Sequence, residues 1–170
     1  MCNPEVDLEA LRAEVVERAG GAIEIAPFER VRRDRVAHWK QSHFEKVYRA
    51  EVACESAVSE AGLVVARAFD GTIVQRTPQR VAHRRADLAR ERRVRVLAAR
   101  LLGPQRVEVE LLCQHGTYVK EWISGDEERT TPSLASLLGA PSRCDVLDVL
   151  EILTPDVEGP RLGAVAVPGA

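Results

Sequence analysis

The stretch from Val94 to Cys113 constrains the fold more than any other. VRVLAARLL and VEVELLC are apolar runs, and Gly103-Pro104-Gln105 separates them. Two such runs around a Gly-Pro turn predict a β-hairpin. An isolated hairpin is marginal in water, so other strands must pair with it. KVYRAEVAC, residues 46–54, offers one, with Tyr48, Ala50, Val52 and Cys54 on one face. Shorter strands are predicted at Ile23 and Ile25, through Ile73 and Val74, and across residues 144–152.

Between these strands the chain reads as short helices. Asp7 can cap a first helix whose Val6, Leu8, Leu11 and Val15 share a face, and Gly20-Gly21 can end it. Residues 33–42 are weakly helical, and residues 58–69 predict a helix stopping at Asp70-Gly71. Residues 116–125 turn into a helix ending at Gly125, and another short one follows Pro132. The fold class this implies is α+β: a mostly antiparallel mixed sheet flanked by short helices. One domain is expected over residues 1–154, with residues 155–170 (PDVEGPRLGAVAVPGA) as a flexible tail.

Aromatic residues make up 4% of the chain, so the core must rest on Val, Leu, Ile and Ala. Cys2, Cys54, Cys113 and Cys144 form no C-x-x-C pair, and no histidine pair has zinc-ligand spacing. Buried thiols in a reducing compartment are expected rather than a metal site, and no cofactor is implied. Without a leader or a long apolar run, the expectation is a cytoplasmic protein with no membrane partner.

The formal net charge of -2 hides an uneven distribution. From Arg76 to Arg106 ten arginines face two acids, Asp87 and Glu91. A solvated basic face balanced by acidic flanks is one reading; a polyanion-binding surface is the other, because arginine forks pair with phosphates. The order of QRTPQRVAHRRAD favours nucleic acid. Its Thr-Pro turn stiffens the backbone, and Arg76, Arg80, His83, Arg84 and Arg85 project around it.

The two tyrosines lie in KVYRAEV and GTYVKE. Both could be core residues with satisfied hydroxyls. They could equally stack on an extruded base, as an enzyme acting on nucleic-acid bases requires. A glycine before Tyr118 lets the chain turn sharply, and Lys120 follows two residues later.

These segments resemble a known family. GTYVKE is similar to a Gly-Thr-Tyr-aliphatic-basic motif, and KVYRAEV to a Lys-x-Tyr strand motif, both of pseudouridine synthases. QRTPQRVAHRRAD and GTYVKEWISGDEERTTPSL, followed by LDVLEI, resemble the archaeal-type tRNA pseudouridine synthase that modifies uridines 54 and 55 in the TΨC loop. The likeness runs from about Asn3 to Ile152. It implies the carboxy-terminal part of a catalytic domain, an isomerase of tRNA processing, binding the T-arm without metal or cofactor. It also implies roles. Tyr48 would stack on the target uridine and offer its hydroxyl for proton transfer; Tyr118 would bind substrate. Lys120 would pair with the nucleophilic aspartate, lowering its pKa by about 1–3 units.

Two departures accompany the resemblance. The family's catalytic aspartate precedes an Asn-Pro, which here is Asn3-Pro4 with only Met1-Cys2 before it. Asp34, Asp70, Asp87 and Asp126 lie in other contexts, so none is nominated as nucleophile. The expectation is a truncated or split enzyme, inactive alone, with the aspartate on a separately encoded amino-terminal part. A non-catalytic RNA-binding module is the alternative, and a plain α+β structural domain the third reading. The other departure is Glu128, where the family has glycine before Arg-Thr. Which T-loop uridine is modified stays open.

Overall fold

The computed structural model describes residues 6–154; the expected tail lies outside them. The chain divides into two units, Met1–Ser42 and His43–Ala170.

In the first unit, α1 spans Leu8–Arg18 and α2 spans Arg33–Gln41. Asp7 caps α1 as the sequence predicts, accepting bonds from the Glu9 and Ala10 amides at 2.9 and 3.2 Å. Neither helix buries a residue, and Leu11 is 38% exposed, so the apolar stripe read in α1 has no core to face. The strand expected at Ile23 and Ile25 does not form. Alternation alone cannot make a strand without a partner ladder; here the Ile25 carbonyl accepts from Arg12 Nε at 2.7 Å instead.

The second unit runs β1 Glu45–Cys54, α3 Glu60–Arg67, β2 Asp70–Arg76, α4 Gln79–Ala82, β3 Ala89–Gly103, β4 Arg106–Cys113, α5 Val119–Ser124, β5 Thr130–Thr131, α6 Leu134–Leu138 and β6 Ser142–Leu153. They build one six-stranded sheet in the order β5-β2-β3-β4-β1-β6, and every pairing is antiparallel. The hairpin forms where predicted, with Gly103 opposite Arg106. On β1 the row Ala50, Val52 and Cys54 is buried and Tyr48 packs against the same core.

Register aligns that row with its neighbours: Tyr48 faces Leu111, Ala50 faces Val109, and Val52 faces Val107. Leu63 and Ala66 of α3, Trp122 and Ile123 of α5, and Leu134 and Leu138 of α6 close over it. The contact of α3 with α6 is tight enough to require Gly62, where an added Cβ would lie 2.5 Å from the Leu138 carbonyl oxygen. The helix predicted over residues 58–69 is shorter, because Ser59 caps it by accepting from the Gly62 amide at 3.1 Å. Asp70 and Gly71 do not end it. They open β2 opposite Arg95 and Val94, since hydrogen bonds to β3 outweigh their turn propensity.

The other face of the sheet carries ion pairs across strands: Arg49 with Asp148, Arg106 with Glu51, and Arg100 with Glu108. The Arg100 hydrogen bond holds the Glu108 carboxyl below its ordinary range. Burial pushes the Cys113 thiol up to about 12, so it stays protonated and inert.

Candidate nucleic-acid interface

Tyr118 sits at the N-cap of α5, and Gly116 makes the turn before it with φ +77°. Its backbone is held from β2. The buried Gln75 amide donates to the Tyr118 carbonyl at 3.0 Å and accepts from the Tyr118 N–H at 2.8 Å. A third bond, Gln75 Nε2 to Thr130 Oγ1 at 3.2 Å, ties the clamp to β5.

The Tyr118 ring meets two arginines. Arg85 Nη1 donates to its hydroxyl at 3.1 Å, and the Arg80 guanidinium carbon lies 5.9 Å from the ring centroid, within cation–π range. Arg80 is itself fixed by donating to Glu121, whose side chain is only 8% exposed. One turn of α5 thus supplies the aromatic plate and the carboxylate that holds a cation over it.

The arginine-bearing segment after Thr77 is not a loose loop. Arg129 donates twice to the Thr77 carbonyl, at 2.9 and 3.1 Å, and once to Asp87. Arg76 donates to the same Asp87 at 2.6 Å. Asp126 accepts from the Gln79 amide at 3.0 Å, and Glu127 from its side chain. These bonds join residues 76–88 to the turn at 126–129 and satisfy part of the charge internally. His83, Arg84 and Arg85 stay exposed, and neither His83 nor Arg84 has a side-chain partner among the described residues.

Tyr48 is half-buried on β1 beside Cys113, and burial followed by that thiol raises its hydroxyl pKa. It therefore remains protonated, a donor rather than a phenolate. Lys120 is exposed on α5, near enough to Cys144 to oppose the upward push that burial gives that thiol. Among the described residues neither the Tyr48 hydroxyl nor the Lys120 ammonium makes a hydrogen bond or ion pair. The structure thus joins Tyr118, Arg80 and Arg85 directly, keeps Arg76 in the loop frame, and leaves Tyr48 and Lys120 with free functional groups.

Sequence reasoning passed over Gln75, Glu121, Arg129, Asp87 and Asp126. Gln75 and Glu121 lie inside the motifs that carried the resemblance, but nothing in their local pattern shows that one clamps a tyrosine and the other an arginine. Among the described residues no cluster of three or more His, Cys, Asp or Glu could hold a metal ion. Nor is any described helix long and apolar enough to cross a membrane.

An aromatic ring flanked by two arginines is thus held at one end of a helix packed on a six-stranded antiparallel sheet. Residues 2–153 match the family described as Pus10, C-terminal. The chain belongs to that family. It is 41% identical over 150 residues to the tRNA pseudouridine synthase Pus10 of Korarchaeum cryptofilum, covering 86% of this chain and 40% of that protein. To the protein of the same name from Methanothermobacter marburgensis it is 46% identical over 151 residues, covering 88% of this chain and 37% of that one. The chain therefore spans well under half the length of these relatives. Among solved structures it is similar to the crystal structure of a Cbf5-Nop10-Gar1 complex, at 23% identity and a TM-score of 0.49, over 64% of this chain and 30% of that one.

Proposed function

We propose that this chain is the substrate-holding, carboxy-terminal part of a tRNA pseudouridine synthase acting on T-loop uridines 54 and 55. The observation that carries the reading is Tyr118, clamped by Gln75 and flanked by Arg80 and Arg85, with the exposed Lys120 two residues further along the chain.

The reaction breaks the bond between N1 of uracil and C1′ of the ribose, turns the base, and joins C5 to C1′; the proton on C5 then leaves and N1 takes one up, so atoms and charge balance. Tyr48 stacks on the extruded uracil and replaces part of its lost stacking, worth roughly 1–3 kcal/mol. Its protonated hydroxyl is available for the proton transfer. Tyr118 positions the substrate. Lys120 pairs with the nucleophilic aspartate and keeps it ionised. No aspartate of this chain is assigned that part. His83, Arg84 and Arg85 take phosphates of the T-arm, with Arg76 and Arg80 holding the loop and the ring that present them.

Two relatives are named tRNA pseudouridine synthase, which supports the class of reaction and not the uridine positions, and the family match spans both tyrosines and Lys120. The test supplies the part of the Methanothermobacter marburgensis protein that precedes the matched region, fused ahead of this chain or added separately. Pseudouridine is then detected chemically in a tRNA transcript. Activity with the added part and none with residues 1–170 alone is the expected result. Turnover by residues 1–170 alone would show that one of their own aspartates is the nucleophile. Tight tRNA binding with no turnover in any combination would favour the non-catalytic RNA-binding module.

A further inference from the structure

The sheet face that carries Tyr48 does not end there. Residues two apart on a strand share a face, so Lys46 continues the Tyr48 row about 6.6 Å further along β1. Register sets Lys46 opposite Cys113, and Cys113 opposite Val94. The ladder then runs on. Gln114 N–H donates to the Arg93 carbonyl at 2.9 Å, and the Arg93 amide donates to the Gln114 side chain at 2.9 Å. One step further, His115 comes beside Arg92 on the Lys46 face.

Two other features close the cluster. The His43 ring stands edge-on to His115, with centroids 4.7 Å apart. A Cβ on Gly116 would lie 3.4 Å from both Nε and Nη2 of Arg92, so the guanidinium rests against the bare glycine. His43, Lys46, Arg92 and His115 thus crowd one end of the sheet.

Among the described residues Arg92, like Arg84, Arg85 and Arg90, lacks a carboxylate partner, and it is the arginine of the strip with a buried guanidinium N–H left without a partner. Arg76, Arg80, Arg93, Arg95, Arg100 and Arg106 each face a carboxylate. Arg92 has none: Nη1 donates to the Glu91 carbonyl at 2.7 Å, and its buried Nε has no partner. An unsatisfied N–H of a charged group is costly to keep, by roughly 1–3 kcal/mol or more. Such a group is held for a ligand more readily than for stability.

We propose that His43, Lys46, Arg92 and His115 form a phosphodiester site that takes an RNA backbone phosphate next to the base held over Tyr48. This rests on the reading that the chain binds tRNA. The chemistry is specific: a guanidinium fork and an ammonium offer donors only, an imidazole offers donors only once protonated, and a phosphate offers acceptors only. The position commits the source to RNA, because Lys46 lies on the row of Tyr48 and the loop from Gln114 to Thr117 leads directly to Tyr118.

The site should also sense pH. His115 is faced by His43 and Lys46 from the β1 side and by Arg92 from β3, and burial followed by these groups lowers its pKa. A bound phosphate opposes that repulsion and draws a proton onto the imidazole. Affinity should then rise as pH falls through the histidine range.

The test measures binding of a labelled tRNA transcript to the whole chain over a range of KCl concentrations and from pH 6 to 8. Arg92→Gln and Lys46→Gln are each expected to weaken binding several-fold. Each should also reduce the salt slope by somewhat under one unit, equally for unrelated RNA sequences. His115→Gln should flatten the pH dependence, and Arg92→Lys should restore most of the slope but less of the affinity. Should Arg92→Gln lower the melting temperature, Lys46→Gln and the exposed His115→Gln carry the test. Normal binding by wild type with unchanged slopes in both charge variants would overturn the site while leaving the tRNA reading intact. Failure of wild type to bind tRNA would overturn both.

Discussion

The arginines of the basic strip fall into two groups that composition cannot separate. Most of those on β3 and at its turn, Arg93, Arg95, Arg100 and Arg106, meet Asp70, Glu108 and Glu51 from neighbouring strands, whereas Arg90 and Arg92 meet no carboxylate among the described residues. Those around Thr77 divide again: Arg76 and Arg80 are held by Asp87 and Glu121, while Arg84 and Arg85 face solvent without a carboxylate. A cation with a carboxylate across the strand is part of the scaffold. A cation held near an aromatic ring without one is available to a ligand. The balanced-face reading of the strip holds for the first region; for the second, polyanion binding is our proposal.

The sharpest break of this comparison is at Lys120, the available cation to which the proposed mechanism gives a part in the chemistry. In enzyme complemented with the amino-terminal part, Lys120→Ala should cut the rate by 10²-fold or more, read as pseudouridine formed per time. Affinity for tRNA should barely change. An equal loss in binding and rate would place Lys120 among the phosphate contacts instead.

Next comes the frame that presents the loop. Arg129→Ala leaves the Thr77 carbonyl without its side-chain donor and Asp87 with Arg76 alone, and should destabilise by roughly 1–3 kcal/mol, visible in urea unfolding. Gln75→Leu keeps the bulk but strands the Tyr118 N–H and leaves its carbonyl with the Trp122 N–H alone, with a cost of similar size. If Gln75 positions Tyr118, Gln75→Leu should also lower the catalytic rate at saturating tRNA, while Gln75→Glu recovers part of it. A loss of stability with an unchanged rate would make Gln75 a purely structural residue.

The available cations should behave oppositely. Changing His83, Arg84 and Arg85 together to Gln should leave the melting curve in place and reduce the salt slope of tRNA binding by about one to two units. A shifted melt with an unchanged slope would invert the assignment.

The scaffold pair Arg100–Glu108 marks the small end. Its neutralisation should cost under about 1 kcal/mol, because Arg100 is 68% exposed and water screens the pair. Glu108 has a depressed folded pKa, so its contribution is present above the ordinary carboxylate range and lost as pH falls through the folded value. Tracking stability against pH in wild type and Glu108→Gln should show the two curves converging in acid. Binding of tRNA should not register either change.

Glu128 shows how sequence and structure share one explanation. Against the resemblance it stood out as a departure from glycine, without a reason. The structure supplies one: Asp126, Glu127 and Glu128 follow each other with φ of 48°, 54° and 64°. The left-handed region suits glycine and strains a side chain with a β-carbon. The run persists because Asp126 and Glu127 are tied to Gln79, and Arg129 to Thr77 and Asp87.

What the sequence determined by itself was whatever a short window encodes. The Asp7 cap, the Gly103-Pro104-Gln105 turn, the one-faced row from Tyr48 to Cys54 and the Gly125 stop each depend on a few adjacent residues, and each forms as read. The family motifs were legible for the same reason. Pairing over long separations was not. Ile23 and Ile25 alternate like a strand but find no ladder, whereas Asp70 and Gly71 read as a stop and become a strand because β3 offers one. The same holds at the site, where Gln75 meets Tyr118 across 43 positions and Arg80 meets Glu121 across 41. A hydrogen bond is decided by two atoms coming within about 3 Å, and only the folded sheet brings those distant residues that close.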